Sequence, residues 1–93
     1  MIIKSYDGRV LGDKEACALV AKINPNAFAT YQRDKTGKHD SQGENPVPQP
    51  VMRDLESGRL LTDLEAVLRW AAKRPRGPYI DPDIPITELI EQS

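Results

Sequence analysis

The apolar positions of this chain change period several times, and each change marks an element. Over residues 12–23, GDKEACALVAKI, Ala16, Leu19, Val20 and Ile23 recur at i, i+3, i+4 and i+7, the single stripe of an amphipathic helix. Gly12 or Asp13 is placed to cap it, and Glu15 stands in its first turn, where the helix dipole favours an acid. A second helix restarts at Asn24-Pro25, an N-cap residue followed by a proline at the first helical position, and runs to about Lys35. It has a narrower apolar face, Phe28 and Tyr31 with Ala27, so Asn26, Ala29, Thr30, Gln32 and Arg33 are expected to face outward. Two short helices joined by almost no loop read as a helix-turn-helix.

Elsewhere the pattern is that of short strands. The runs IIKSY and RVL flank Asp7-Gly8, and Asp-Gly between β-formers predicts a hairpin, because a type I′ turn needs positive φ at both central positions. So short a hairpin needs a further strand or a helix against it. Residues 36–50, TGKHDSQGENPVPQP, read as a loop by their glycine, proline and polar content. VMRDL (51–55) and RLLT (59–62) flank Glu56-Ser57-Gly58 and predict a second hairpin. Thr62-Asp63-Leu64-Glu65 then reads as a capping box, opening a third helix with Leu64, Val67, Leu68 and Ala71 as its stripe. Trp70, three beyond Val67, is expected to pack against the first helix. Pro75 and Gly77-Pro78 end this helix. Pro82 and Pro85 exclude a regular helix through the next stretch, which leaves an extended arm. Thr87 to Gln92 can form a helical turn with Ile86, Leu89 and Ile90 on one side. Those apolar groups need a surface to cover, either on the same domain or on another protomer. The organisation read from the pattern is therefore a domain over 1–77 and an acidic C-terminal arm over 78–93.

Composition narrows the function classes. Ninety-three residues with 39% apolar and 29% charged content describe one small globular domain. No apolar run reaches the length of a membrane span, and the N-terminus has no cleavage-site pattern. With Cys17 as the sole cysteine, and so no internal disulfide, a cytoplasmic location is expected. Cys17 sits beside the apolar stripe and reads as a small core hydrophobe. His39, in the loop, has no second ligand at metal-binding spacing, so neither a metal site nor a cofactor is expected. The carboxylates are scattered and form no nucleophile–base arrangement, so the chain does not read as an enzyme. The net charge is −1, but residues 1–80 hold all 13 Lys and Arg against ten of the 14 acids. The body is mildly basic and the end of the chain acidic, a weak footprint for a nucleic-acid partner.

Taken together, KEACALVAKINPNAFATY (14–31) resembles the "EAAxLLGVSPSTFRxY" motif of small MerR-like winged helix-turn-helix domains of the AlpA and excisionase type, common in phages and actinobacteria. Glu15, Ala16, Leu19, Val20, Ile23, Pro25, Phe28 and Tyr31 match when one extra residue is allowed near Lys22. PVPQPV (46–51) is similar to the entry to the wing, Gly58 to its turn, and VLRWAAKRPRG (67–77) to the end of the last helix. The resemblance covers roughly residues 10–77. It implies a small α+β winged helix-turn-helix, with about three helices and one or two short β-hairpins, that binds double-stranded DNA. The second helix would lie in a major groove and the wing on an adjacent backbone or minor groove. Carried over by position, Asn26, Ala29, Thr30 and Arg33 fall on the recognition face and Arg53 and Arg59 on the wing. Arg33, Lys35, Lys38, Arg53 and Arg59 would neutralise phosphates, and helix-two side chains, Gln32 among them, would supply sequence preference. Members often carry Arg or Lys where this chain has Ala29, and Asp54 and Glu56 on the wing would repel phosphates if turned toward them. The implied role is that of an excisionase, a recombination directionality factor or a small transcriptional regulator. It would act by cooperative architectural binding beside an integrase or recombinase, with copies meeting through Ile86, Leu89 and Ile90 of the arm. The alternative is a protein-interaction module on the same fold, which the near-neutral charge and the acidic wing and arm favour.

Overall fold

The computed structural model describes residues 1–33, 46–74 and 77–91, the last three (89–91) in backbone only. It is a small α+β arrangement in which helices pack beside a four-stranded antiparallel sheet. Strands β1 (Ile3–Tyr6) and β2 (Arg9–Gly12) form the first hairpin. Asp7 and Gly8 between them both have positive φ, 52° and 77°, as the primed turn requires. Strands β3 (Met52–Arg53) and β4 (Leu60–Asp63) form the second. The two hairpins are one sheet, in the order β1-β2-β4-β3, because β4 also pairs with β2 through Leu11↔Asp63 and Gly12↔Thr62. The first hairpin thus obtains the extra strand that its length demanded.

Helix α1 (Lys14–Ala21) is capped by Asp13, whose carboxylate accepts from Ala16 N at 3.0 Å. It ends at Lys22 in the left-handed region, with Ile23 N donating to Ala18 O and Lys22 N to Leu19 O, the paired bonds of a Schellman stop. Lys22, with φ 58°, is the helix C-cap residue. Helix α2 (Pro25–Arg33) starts as the sequence implies, with Asn24 Oδ1 accepting from Asn26 N at 2.8 Å. Helix α3 (Leu64–Lys73) is capped by Asp63, which accepts from Glu65 N and Ala66 N. Thr62 is not the cap. Strand β4 continues one residue further than expected, so Thr62 stays in the sheet and its buried hydroxyl accepts from Gln32 Nε2 at 3.0 Å.

The core is built from α1, α2 and α3, with Phe28, Leu64, Val67, Leu68, Trp70 and Ala71 buried. Trp70 is buried as expected, but its ring neighbours lie on α2. Phe28 and Tyr31 meet it edge-on at centroid distances of 5.8 and 5.9 Å. Arg74 covers both Tyr31 and Trp70 and donates to the Tyr31 hydroxyl.

Of the two surfaces open to the apolar residues after Gly77, the structure uses that of the same domain. Ile80 and Ile86 are buried, Ile84 is half-buried, and all three join the core with α1 and α3. Helix α4 (Ile86–Glu91) lies against both helices. Prolines 82 and 85 exclude a regular helix but not side-chain packing, and α1 accordingly buries Cys17, Ala18 and Ala21 beyond its expected stripe. Among the described residues no helix is long and apolar enough to cross a membrane.

Candidate functional site

The outer face of α2, the N-terminus of α1 and the β3–β4 hairpin enclose a concave surface of about 850 Å³. Its lining includes Ala29, Gln32, Arg33, Arg53 and Arg59, five of the nine residues singled out for DNA contact, which lie up to thirty residues apart in the chain. Asn26 and Thr30 are exposed on α2 but do not line this groove. Lys35 and Lys38 lie outside the described residues, as does His39. The groove also brings in Lys14, Asp13 and Glu15 from α1 and Gln49, Pro50 and Leu60 from the hairpin side. Lys14 was missed because it follows a capping residue and reads as ordinary helix surface.

Several of these side chains are already engaged. Arg59 Nη1 donates to Asp13 Oδ2 at 2.8 Å and lies 3.6 Å from Glu15 Oε1. Asp13 is almost completely buried, and burial pushes its carboxyl up. The bonds from Ala16 N, the Arg59 guanidinium and Ile2 N outweigh that and hold it below the usual carboxylate range. One carboxylate thus caps a helix and fixes a cation at the groove wall. Arg53 Nη1 donates to Gly58 O across the hairpin turn at 2.5 Å. Arg33 is exposed on the groove edge, with a long contact of 3.4 Å to Thr30 Oγ1.

Gln32 lines the groove half-buried, with its side chain engaged within the chain. Its side-chain amide donates to Pro48 O at 2.9 Å and to Thr62 Oγ1, while its backbone carbonyl accepts from Gln49 Nε2. It ties α2 to β4 and to the segment that leads into β3. Ile86 is likewise spent within its own chain. It is buried against α1 and α3 and presents no surface to a partner. Leu89 and Ile90 belong to α4, with side chains outside the described set.

The acids expected to oppose phosphates have different environments. Asp54 is buried at the base of the β3–β4 turn, where it pairs with Lys4 Nζ and accepts from Ser57 N and Ser57 Oγ. The Lys4 ammonium, then the Ser57 hydroxyl, hold its carboxyl at about 2. Lys4 rises in turn, chiefly through its bond to Asp54. Only Glu56 of the two is exposed.

Cys17 is buried, and that burial pushes its thiol up to about 12, so it is not a thiolate at neutral pH. Among the described residues no three His, Cys, Asp or Glu side chains are grouped to hold a metal ion. No family model, curated protein or solved structure matches the chain.

Proposed function

We propose that this protein binds double-stranded DNA, with α2 directed at a major groove and the β3–β4 hairpin acting as a wing beside it. The observation that carries this reading is the groove itself. Arg33 from α2, Arg53 and Arg59 from the hairpin and Lys14 from α1 line one channel, on a chain whose net charge is −1. A channel flanked by cations on both walls suits a phosphodiester strand, whose neutralisation supplies sequence-independent affinity. Asn26, Thr30 and Arg33, exposed along α2, are of the types that read base edges. Asp54, paired with Lys4, presents no free charge to a phosphate, which supports a wing lying close to the backbone. With the resemblance described above, the class favoured is an excisionase, recombination directionality factor or small transcriptional regulator. Integrase or recombinase is the protein partner implied, and several copies acting side by side the mode.

The competing reading is a protein-binding module on the same scaffold. It draws on Asp13 and Glu15, which line the same groove and offset the charge of Arg59. Anisotropy of a labelled mixed-sequence duplex at low salt separates the two. Wild-type protein should bind, and Arg33→Glu, at an exposed position, should lose most of that binding while melting at the wild-type temperature. Equal binding by the two proteins would contradict the DNA reading.

A further inference from the structure

The β3–β4 turn carries a leucine that is not part of the core among the described residues. Leu55 is 94% exposed, at a position where a polar turn residue would serve the fold as well. The turn that carries it, however, is held by hydrogen bonds on both sides. Asp54 N donates to Arg59 O and Gly58 N to Asp54 O, both at 2.7 Å. The Asp54 carboxylate takes Ser57 N and Ser57 Oγ, and Lys4 of β1 anchors that carboxylate from across the sheet. Arg53 and Arg59 stand on either side of the turn and line the groove. The leucine is thus the apolar tip of a braced turn with a cation at each base. The acid beside it, Glu56, is exposed.

We infer that Leu55 is a wedge that enters the minor groove of a bound duplex, parts one base step and bends the DNA. The inference rests on the DNA-binding reading and assigns the mechanical role of the hairpin within it. Apolar side chains parting a step from the minor groove are an established way of kinking DNA, and unstacking opposes them, so the tip must not yield. The Asp54–Lys4 brace supplies that stiffness. Pyrimidine–purine steps open most easily, so the wedge should prefer them. Because Leu55 covers nothing in the fold, its replacement leaves the core intact.

The test uses the full chain and a duplex of mixed sequence with a central TA step, carrying donor and acceptor dyes at its two ends, at low salt. Wild-type protein should raise the energy transfer between the ends. Leu55→Ala should melt like wild type, keep the salt dependence of binding and lose the gain in transfer, and Leu55→Phe should restore it. Binding by Leu55→Ala with an undiminished gain would overturn the wedge alone. Failure of the wild-type protein to bind any duplex would overturn the DNA reading, and the wedge with it.

Discussion

A methyl group placed on Gly12 would lie 2.6 Å from Ala16 Cβ and 2.8 Å from Leu64 Cδ2. This residue closes β2, pairs with Thr62 and leads into the α1 cap, so neither the backbone nor the two side chains can retreat freely. Gly12→Ala should therefore lower stability by about 1–3 kcal/mol, the usual range for overpacking, as read by urea unfolding; an unchanged midpoint would mean that α1 or α3 shifts without cost. Asp54 allows a second check. Its carboxyl is held at about 2, against an ordinary value of 3.8, by Lys4 and then Ser57. A depressed folded-state value stabilises the protein above the ordinary one, and that contribution disappears as pH falls through about 2. Asp54→Asn should be less stable than wild type at neutral pH, and the gap should narrow between pH 3.8 and about 2. At this scale the sequence revealed what is local. Asp7-Gly8 and Asn24-Pro25 each declare their own backbone, and Cys17 was identified as core. The pairs Lys4–Asp54 and Asp13–Arg59 span 50 and 46 residues, and nothing in residue type or spacing marks which distant charge each finds.

The elements were legible where a period or a cap announces them, and less so where packing decides. Both hairpins and the first three helices occur near their expected places. The joining of β2 to β4 was not readable, because strand pairing across fifty residues leaves no local trace. The hydrogen bonds of Gln32 were unreadable for a related reason: an amide on a polar helix face looks the same whether it meets solvent or the Pro48 carbonyl. The C-terminal segment is the largest revision. Its proline content and acidity describe an arm, yet Ile80, Ile84 and Ile86 complete the core between α1 and α3. Truncation after Gly77 should thus remove cooperative thermal unfolding rather than yield a folded, arm-free domain, and Ile86→Ala alone should cost about 2–5 kcal/mol. A truncated chain that melts like wild type would show the segment to be dispensable.

For the whole molecule, the total charge conceals the distribution that matters. Acids at 81, 83, 88 and 91 cancel a basic body in the sum, while folding gathers Lys14, Arg33, Arg53 and Arg59 around one groove. Spacing points to α2's outer residues and the resemblance to the hairpin arginines, while folding sets Ala29, Gln32 and Arg33 opposite Arg53 and Arg59 and adds Lys14. The central claim is that this groove holds a DNA backbone, and its most direct test is the salt dependence of duplex binding. The four groove cations, Lys14, Arg33, Arg53 and Arg59, should give a log–log slope of roughly −3 to −4, and Arg33→Ala should make it shallower by about 1. Binding to no duplex even at low salt, or binding whose strength does not change with salt, would contradict the account.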